Sequence, residues 1–396
     1  MNEKLIIKNF GPIKHIELEL KKFNILIGEQ ATGKSTVAKM LNFCRYFSII
    51  ANGSNFEMQK QNLGMSEIDT HLSKWGLLDY IKPDSFVEYT CEDYIYSFSN
   101  SKFNIIPPLP QKNEYSLADQ LTSRIQAKST KFENLLTEYY ELEKTGKLSY
   151  EFYSGFVSKV MDNPFYLPAE RGLQSIFSLG KDSLQNISDS LFNLFAKIDG
   201  ILRSFKNETK IEPLKISYKN QNGKGFIKSS KHKYIALANA ATGFQTAIPI
   251  VLLIKYYTGL RKKKKTFIIE EPEENLFPTA QYELVKFFAE NMANVNGYLI
   301  TTHSPYILTS LNNLILANKA GLKNDNINKV INQKNWIRSE DVVAYQLRYN
   351  SKDKGTIAES IIDKDGLIEA EKIDEVSSIL NKEFEKIMFT QLDIKR

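Results

Sequence analysis

The segment that most limits what this chain can fold into is Gly28-Glu29-Gln30-Ala31-Thr32-Gly33-Lys34-Ser35, followed by Thr36. It joins an apolar run, Phe23 to Ile27, to a stretch from Lys34 to Ile50 in which Val37, Met40, Leu41 and Cys44 recur at helical spacing. A strand buried on both faces, a glycine-bounded loop and a helix, in that order, make a phosphate cradle. Gly28 and Gly33 let the backbone wrap close to phosphate oxygens, and N–H groups at the helix start favour negative charge. Lys34 reaches the β- and γ-phosphates of a nucleotide, and the Ser35 hydroxyl ligates Mg²⁺. ATP and Mg²⁺ are the expected ligands, with residues 28 to 36 around the phosphates.

Such chemistry also needs an acid at the end of a buried strand. Phe267-Ile268-Ile269-Glu270-Glu271-Pro272 supplies two. One carboxylate can complete the magnesium shell while the next polarises the attacking water. Asn239-Ala240-Ala241-Thr242-Gly243-Phe244-Gln245 precedes an apolar helix expected over Ala247 to Tyr257, and is a second small-residue turn at a helix start. One nucleotide has little use for two such turns from the same chain, but two chains closing on each other can use both. Finally, Leu299-Ile300-Thr301-Thr302-His303-Ser304-Pro305 puts His303 just beyond a strand, where ligands of parallel sheets bind.

Composition sets the outer bounds. With 396 residues, 42% hydrophobic and 25% charged, the chain has apolar material for a core, which excludes a wholly disordered protein. The longest apolar run, Ala247 to Ile254, stops at Lys255, well short of a bilayer. The first residues enter a strand pattern without the layout of a secretory signal, and two cysteines make neither a disulfide framework nor a zinc pattern. A cytoplasmic protein with no membrane partner is expected. The net charge of +6 is weak evidence of any partner. The runs Arg261 to Lys265 and Lys228, Lys231, Lys233 read either as solvated loops or as a surface for a phosphate backbone.

Periodicity predicts antiparallel strands over residues 4 to 20, a hairpin of Ser85 to Thr90 with Tyr94 to Ser99, and helices at Lys131 to Glu143 and Ser188 to Phe205. Further along it predicts strands at Thr266 to Ile269 and Tyr298 to Thr301, a helix at Ala280 to Asn291, a strand at Val342 to Leu347 and a closing helix at Ile373 to Ile387. Strands alternating with helices give an α/β fold with a mainly parallel core sheet, N-terminal antiparallel strands and an inserted, mostly helical lobe. The expected division is a core of 1–50 plus 236–310, an inserted lobe over 51–235 and a C-terminal extension over 311–396.

The ordered set of these motifs resembles the ABC-type, SMC-like ATPases, and its wording is similar to the OLD, PtuA and AriA branch of prokaryotic anti-phage systems. Ile7-Lys8-Asn9-Phe10-Gly11-Pro12-Ile13 and Tyr166-Leu167-Pro168-Ala169-Glu170-Arg171 share in the resemblance. It implies a P-loop head with Lys34 and Ser35 as the Walker A pair, Glu270 as the Walker B acid on the metal and Glu271 as the catalytic base. Thr242, Gly243 and Gln245 would be the signature turn that meets ATP on the opposing subunit, Asn275 to Pro278 the D-loop, and His303 the switch histidine. This chain departs from that pattern in Glu for Asp at 270 and in Phe244 within the signature; Gln59 and Gln61 are candidates for a Q-loop glutamine. Arg171 is expected either in an ion pair with Glu170 or another acid, or against the nucleotide or opposing subunit.

The implied function is ATP hydrolysis whose sandwiched homodimer, or larger homo-oligomer, gates a defence complex. An ATP-locked scaffold and a RecF-like DNA repair ATPase are the alternatives. Asp363-Lys364-Asp365-Gly366 reads as a β-turn rather than a nuclease motif, so no nuclease activity of its own is expected. A separate effector protein is expected, with a nuclease as first candidate, docked on the lobe, the extension or the aromatic hairpin Phe86 to Phe98. Nucleic acid is a further candidate partner.

Overall fold

The computed structural model describes residues 3–51, 69, 72–91, 94–99, 102–106, 145, 164–173, 189–228, 233–259, 264–369 and 382–388. Strands β1 (Glu3–Phe10) and β2 (Ile13–Leu20) pair antiparallel across the Gly11-Pro12 turn. Burial in β2 alternates, with Ile13, Ile16, Leu18 and Leu20 inside. β3 (Phe23–Gly28) leads through the glycine-bounded loop into α1 (Lys34–Ala51). β4 (Phe86–Cys91), β5 (Tyr94–Ser99) and β6 (Lys102–Ile106) form an antiparallel meander on the β1 edge, and β7 (Phe165–Leu167) is a short buried strand. α2 (Asp189–Leu202) precedes β8 (Thr209–Ile211), β9 (Ile216–Gln221), β10 (Lys224–Lys228) and β11 (Tyr234–Ala236), which form a separate antiparallel sheet. Then come α3 (Thr242–Gly259), β12 (Thr266–Glu270), α4 (Pro278–Asn291), β13 (Gly297–Thr302), α5 (Pro305–Gly321), β14 (Val342–Asn350) and β15 (Gly355–Ser360).

The main sheet runs β6-β5-β4-β1-β2-β15-β14-β3-β13-β12-β7. Its half from β14 to β7 is parallel throughout, and the half from β6 to β2 is antiparallel. The central residues of β3, β12 and β13 are apolar in unbroken runs because each strand feeds two cores. Ile25, Ile27, Phe267, Ile269, Tyr298 and Ile300 face α3, α4 and α5, whereas Leu26, Ile268 and Leu299 face α1. A period of two residues on a sheet covered on both sides requires just this composition. α3 is apolar nearly all round, with every residue from Thr246 to Ile254 buried.

Two features of the chain's organisation differ from the sequence expectation. Residues 342 to 350, read as part of a terminal extension, form β14 in the middle of the sheet, paired parallel with β3 from Val342–Phe23 to Leu347–Gly28. The described part of the inserted segment carries α2 but also strands β4 to β11, most of them paired antiparallel with their sequence neighbours, while β4 and β7 join the main sheet through β1 and β12. The helix expected at 131–143 lies outside the described residues; of the closing helix, residues 382–388 are helical. The aromatic hairpin is a buried sheet face: Val87, Tyr89, Tyr96 and Phe98 pack on Phe43 and Phe47 of α1. Asp363 closes the expected turn, its carboxylate accepting from the Asp365 and Leu367 N–H groups. Among the described residues no helix is long and apolar enough to cross a membrane.

Register brings four strand ends to one edge. Gly28 lies beside Leu347, Thr302 beside Ile27, and Glu270 beside Thr301. The loops after β3, β12 and β13, which carry Lys34, Glu271 and His303, leave from this edge.

Candidate functional site

The loop after β3 is closed tightly at Gly28. A Cβ there would lie 2.2 Å from the Leu347 carbonyl oxygen, so only glycine lets β14 sit against the loop. Thr32 ties the loop to itself by donating from Oγ1 to the Glu29 carbonyl at 2.8 Å. Lys34 is buried, and its ammonium donates to the carbonyls of Gly28 (2.8 Å) and Glu29 (2.7 Å). Burial pulls Lys34 below its usual pKa, while Glu271, Glu273 and Glu270 oppose the shift.

Alternation along β12 turns Glu270 to the same face as Ile268, toward α1. Ser35 Oγ donates to Glu270 Oε2 at 2.8 Å, and the Tyr166 hydroxyl donates to Oε1 at 2.5 Å. Burial raises the Glu270 carboxyl, and these two hydrogen bonds counter it. Glu271 follows with φ +44, a left-handed conformation that strains a non-glycine residue by about 1–3 kcal/mol. Its N–H donates to the Thr301 carbonyl at 2.9 Å, and its Oε1 lies 3.3 Å from His303 Nε2. The bend thus turns consecutive acids in different directions, Glu270 toward Ser35 and Glu271 toward His303.

The histidine loop is braced from the same acidic run. Glu273 Oε1 accepts from Thr302 Oγ1 (2.6 Å) and from the His303 N–H (2.8 Å), and Ser304 Oγ donates to Gln281 of α4 at 2.6 Å. Among the described residues Arg171 forms no ion pair with Glu170 or another acid. It is fully buried, and its guanidinium donates to carbonyls alone: Glu270 (2.6 Å), Glu271 (2.5 Å), Thr246 (3.1 Å) and Pro168 (3.2 Å). Burial lowers its pKa, and Glu274, Glu273, Glu271 and Glu270 offset part of that. One rigid fork therefore fastens the exit of β12 to the first turns of α3.

At the start of α3, Thr242 is exposed and Gly243 is buried against the loop after β12; a Cβ on Gly243 would lie 2.5 Å from the Asn275 carbonyl oxygen. Gln245 donates to the carbonyls of Ala238 (3.2 Å) and Ala240 (2.8 Å), stitching its own turn, and Phe244 packs on the core. Gln59 and Gln61 lie outside the described residues. Sequence reasoning missed the roles of Tyr166, Glu273, Thr246 and the Leu347 carbonyl. Tyr166 stood in the quoted Tyr-Leu-Pro-Ala-Glu-Arg segment, the one signal that could have pointed to it.

A cleft of about 670 Å³ continues from the loop after β3. Residues 29–32 form one wall, the β1–β2 turn another, and Tyr349 with residues 353–356 of the β14–β15 hairpin a third; Lys82 and Asp84 close it.

The family model described as "AAA ATPase domain" matches residues 1–179 and 79–308. A comparison with curated proteins finds no match. Structural alignment pairs the chain with an SMC head bound to the C-winged helix domain of ScpA, at 9% identity, covering 90% of this chain and 96% of that one, with a TM-score of 0.47. The SMC head domain from Thermotoga maritima aligns at 9% identity over 91% and 99% of the two chains (TM-score 0.42). An Smc head domain with an extended coiled coil, bound to the C-terminal domain of ScpA derived from Pyrococcus furiosus, aligns at 10% identity over 95% and 98% (TM-score 0.43). The family match spans well over half of the sequence, and the chain belongs to the AAA ATPase domain family.

Proposed function

We propose that this chain is an ABC-type ATPase in which two copies close on ATP and so gate a separate effector protein. One juxtaposition carries the catalytic part: Ser35 and Glu270 meet at 2.8 Å, and Glu271 and His303 at 3.3 Å, at strand ends beside the Lys34 loop. Ser35 and Glu270 present the hard oxygen donors that Mg²⁺ takes, and Mg²⁺ bound there would offset charge on the phosphates. Lys34 exchanges its two loop carbonyls for phosphate oxygens. Glu271 accepts the proton of the water that attacks the γ-phosphorus as the bond to the ADP oxygen breaks, and His303 holds that carboxylate in place. The adjoining cleft has room for the nucleoside, with the exposed Tyr349 ring as a stacking face.

Pairing of two copies is supported by the exposed Thr242 and by apolar side chains left open after two of the motifs: Phe277 is 75% exposed and Tyr306, just after His303, 53%. ATP turnover of wild type, Lys34→Ala and Glu271→Gln tests the site. Lys34→Ala should lose nucleotide binding, whereas Glu271→Gln should bind ATP and turn over at least about a hundredfold more slowly. Unchanged turnover in Glu271→Gln would remove it from the base role.

The resemblance to the OLD, PtuA and AriA branch supports a defence setting and an output delivered by another protein, with a nuclease as the first candidate. The purified chain, incubated with plasmid, linear DNA and tRNA plus ATP and Mg²⁺ or Mn²⁺, should leave all three intact. Cleavage that persists through purification and disappears in Asp363→Ala would reverse this part.

A further inference from the structure

The small sheet of β8 to β11 takes no part in the nucleotide site, and its two faces differ in chemistry. Register places Ile211 beside Ile216, Tyr218 beside Ile227 and Ile227 beside Ile235, and Ile211, Tyr218 and Ile227 are buried in the core that includes α3. The opposite face then holds Lys210, Ser217, Lys228 and Tyr234 in one row across the strands, Lys219 with Phe226 in the next, and Gln221 with Lys224 in a third. Four lysines and two aromatic rings share it with no acid from these strands. Lys210, Lys224 and Tyr234 are exposed, as are Lys215 and Lys233 at the margins. Lys219 Nζ sits 3.8 Å and Lys228 Nζ 5.5 Å from the Tyr234 ring centre.

Among the described residues one acid meets this face: Glu208, just before β8, which accepts from Lys228 (3.0 Å) and from the Tyr234 hydroxyl (2.9 Å). Glu212 turns away to Lys255 of α3 at 2.9 Å. Strands lie about 4.8 Å apart and same-face residues along a strand about 7 Å apart, which spaces the backbone positions of these lysines at roughly 8–17 Å. Like charges so spaced repel, and a chain of phosphates at comparable spacing relieves that repulsion. The aromatic rings add a preference for unpaired bases, whose faces they can stack against.

We propose that this face binds single-stranded nucleic acid, with Lys210, Lys219, Lys224 and Lys228 on phosphates and Tyr234 against a base. The assignment stands independently of the ATPase reading. Its test is fluorescence anisotropy of the full chain with labelled single-stranded DNA and RNA of about 30 nucleotides, the matching duplex, and phosphatidylserine vesicles, between about 50 and 200 mM salt. Wild type should prefer a single strand. Lys210→Ala/Lys219→Ala/Lys224→Ala should weaken that binding at least about tenfold and flatten the dependence of log K on log salt by about 2. Tyr234→Ala should weaken it about tenfold with the salt slope unchanged. Turnover without nucleic acid should be the same in all variants, and their melting curves should match wild type. Absence of binding by wild type, equal binding by the triple variant, or a preference for duplex or vesicles would each overturn the proposal.

Discussion

At the scale of single residues, Arg171 shows how a charge can be structural without an ion pair. Four carbonyls from three segments converge on one guanidinium, so its removal leaves several buried acceptors without donors. Arg171→Met should lower stability by about 3 kcal/mol or more in urea unfolding, and turnover should fall because Glu271 loses the clamp on its own carbonyl. Arg171→Lys keeps the charge but has no planar fork, and should recover only part of the loss. Equal stability of wild type and Arg171→Met would show that the clamp is not needed. The acids beside it were legible as a run, Glu270 to Glu274, but not their division of labour. That division follows from the left-handed backbone at Glu271 and Asn275, which aims successive carboxylates at different partners.

Between elements, β1, α1 and β4 are tied by a mostly buried cluster. Arg45 Nε lies 2.6 Å from Glu3 Oε1, to which the Tyr89 hydroxyl also donates at 2.6 Å. Burial alone raises the Glu3 carboxyl, but the charge and hydrogen bonds of Arg45, with Tyr89, outweigh it and hold the pKa below the ordinary value. A carboxyl lowered on folding adds stability above its unfolded pKa and loses it as pH falls through the folded one. Wild type should therefore lose melting temperature more steeply than Glu3→Gln below about pH 4.3. At pH 7, Arg45→Met should cost about 3–5 kcal/mol, because Glu3 is left buried without its partner. Parallel acid limbs in wild type and Glu3→Gln would rule out the linkage. A second contact between elements is the Gly243–Asn275 approach. Gly243→Ala has to push the start of α3 away from the loop after β12, and should cut turnover more than it cuts melting temperature.

For the whole molecule, the two small-residue turns make assembly the natural readout. ATP added to Glu271→Gln should shift the chain to a dimer or a closed higher oligomer in light scattering, and ADP should not. Lys34→Ala mixed with Gly243→Asp should recover part of the activity, since one of the two composite sites then has both halves intact. A heterodimer of verified composition with no recovery would count against a shared site.

What is local in the chain was legible along it. Glycines, Lys34 and Ser35 are contiguous, and the strand before them and the helix after them follow from hydrophobic period alone. The same period placed β12, α4 and β13 within a few residues of their ends. It also located Glu270, Glu271 and His303 at strand exits, because an apolar run ends where the sheet does. Tertiary structure decided which of these ends are neighbours. β14 lies some 320 residues from β3 along the chain yet supplies the carbonyl that closes on Gly28. Tyr166 and Arg171 reach Glu270 from about a hundred residues away. Periodicity records which face of an element is apolar and carries no address for the partner that covers it. The lysine face of β8 to β11 is a case in point: Lys210 and Lys219 lie apart in sequence, and only strand register sets them beside Lys228.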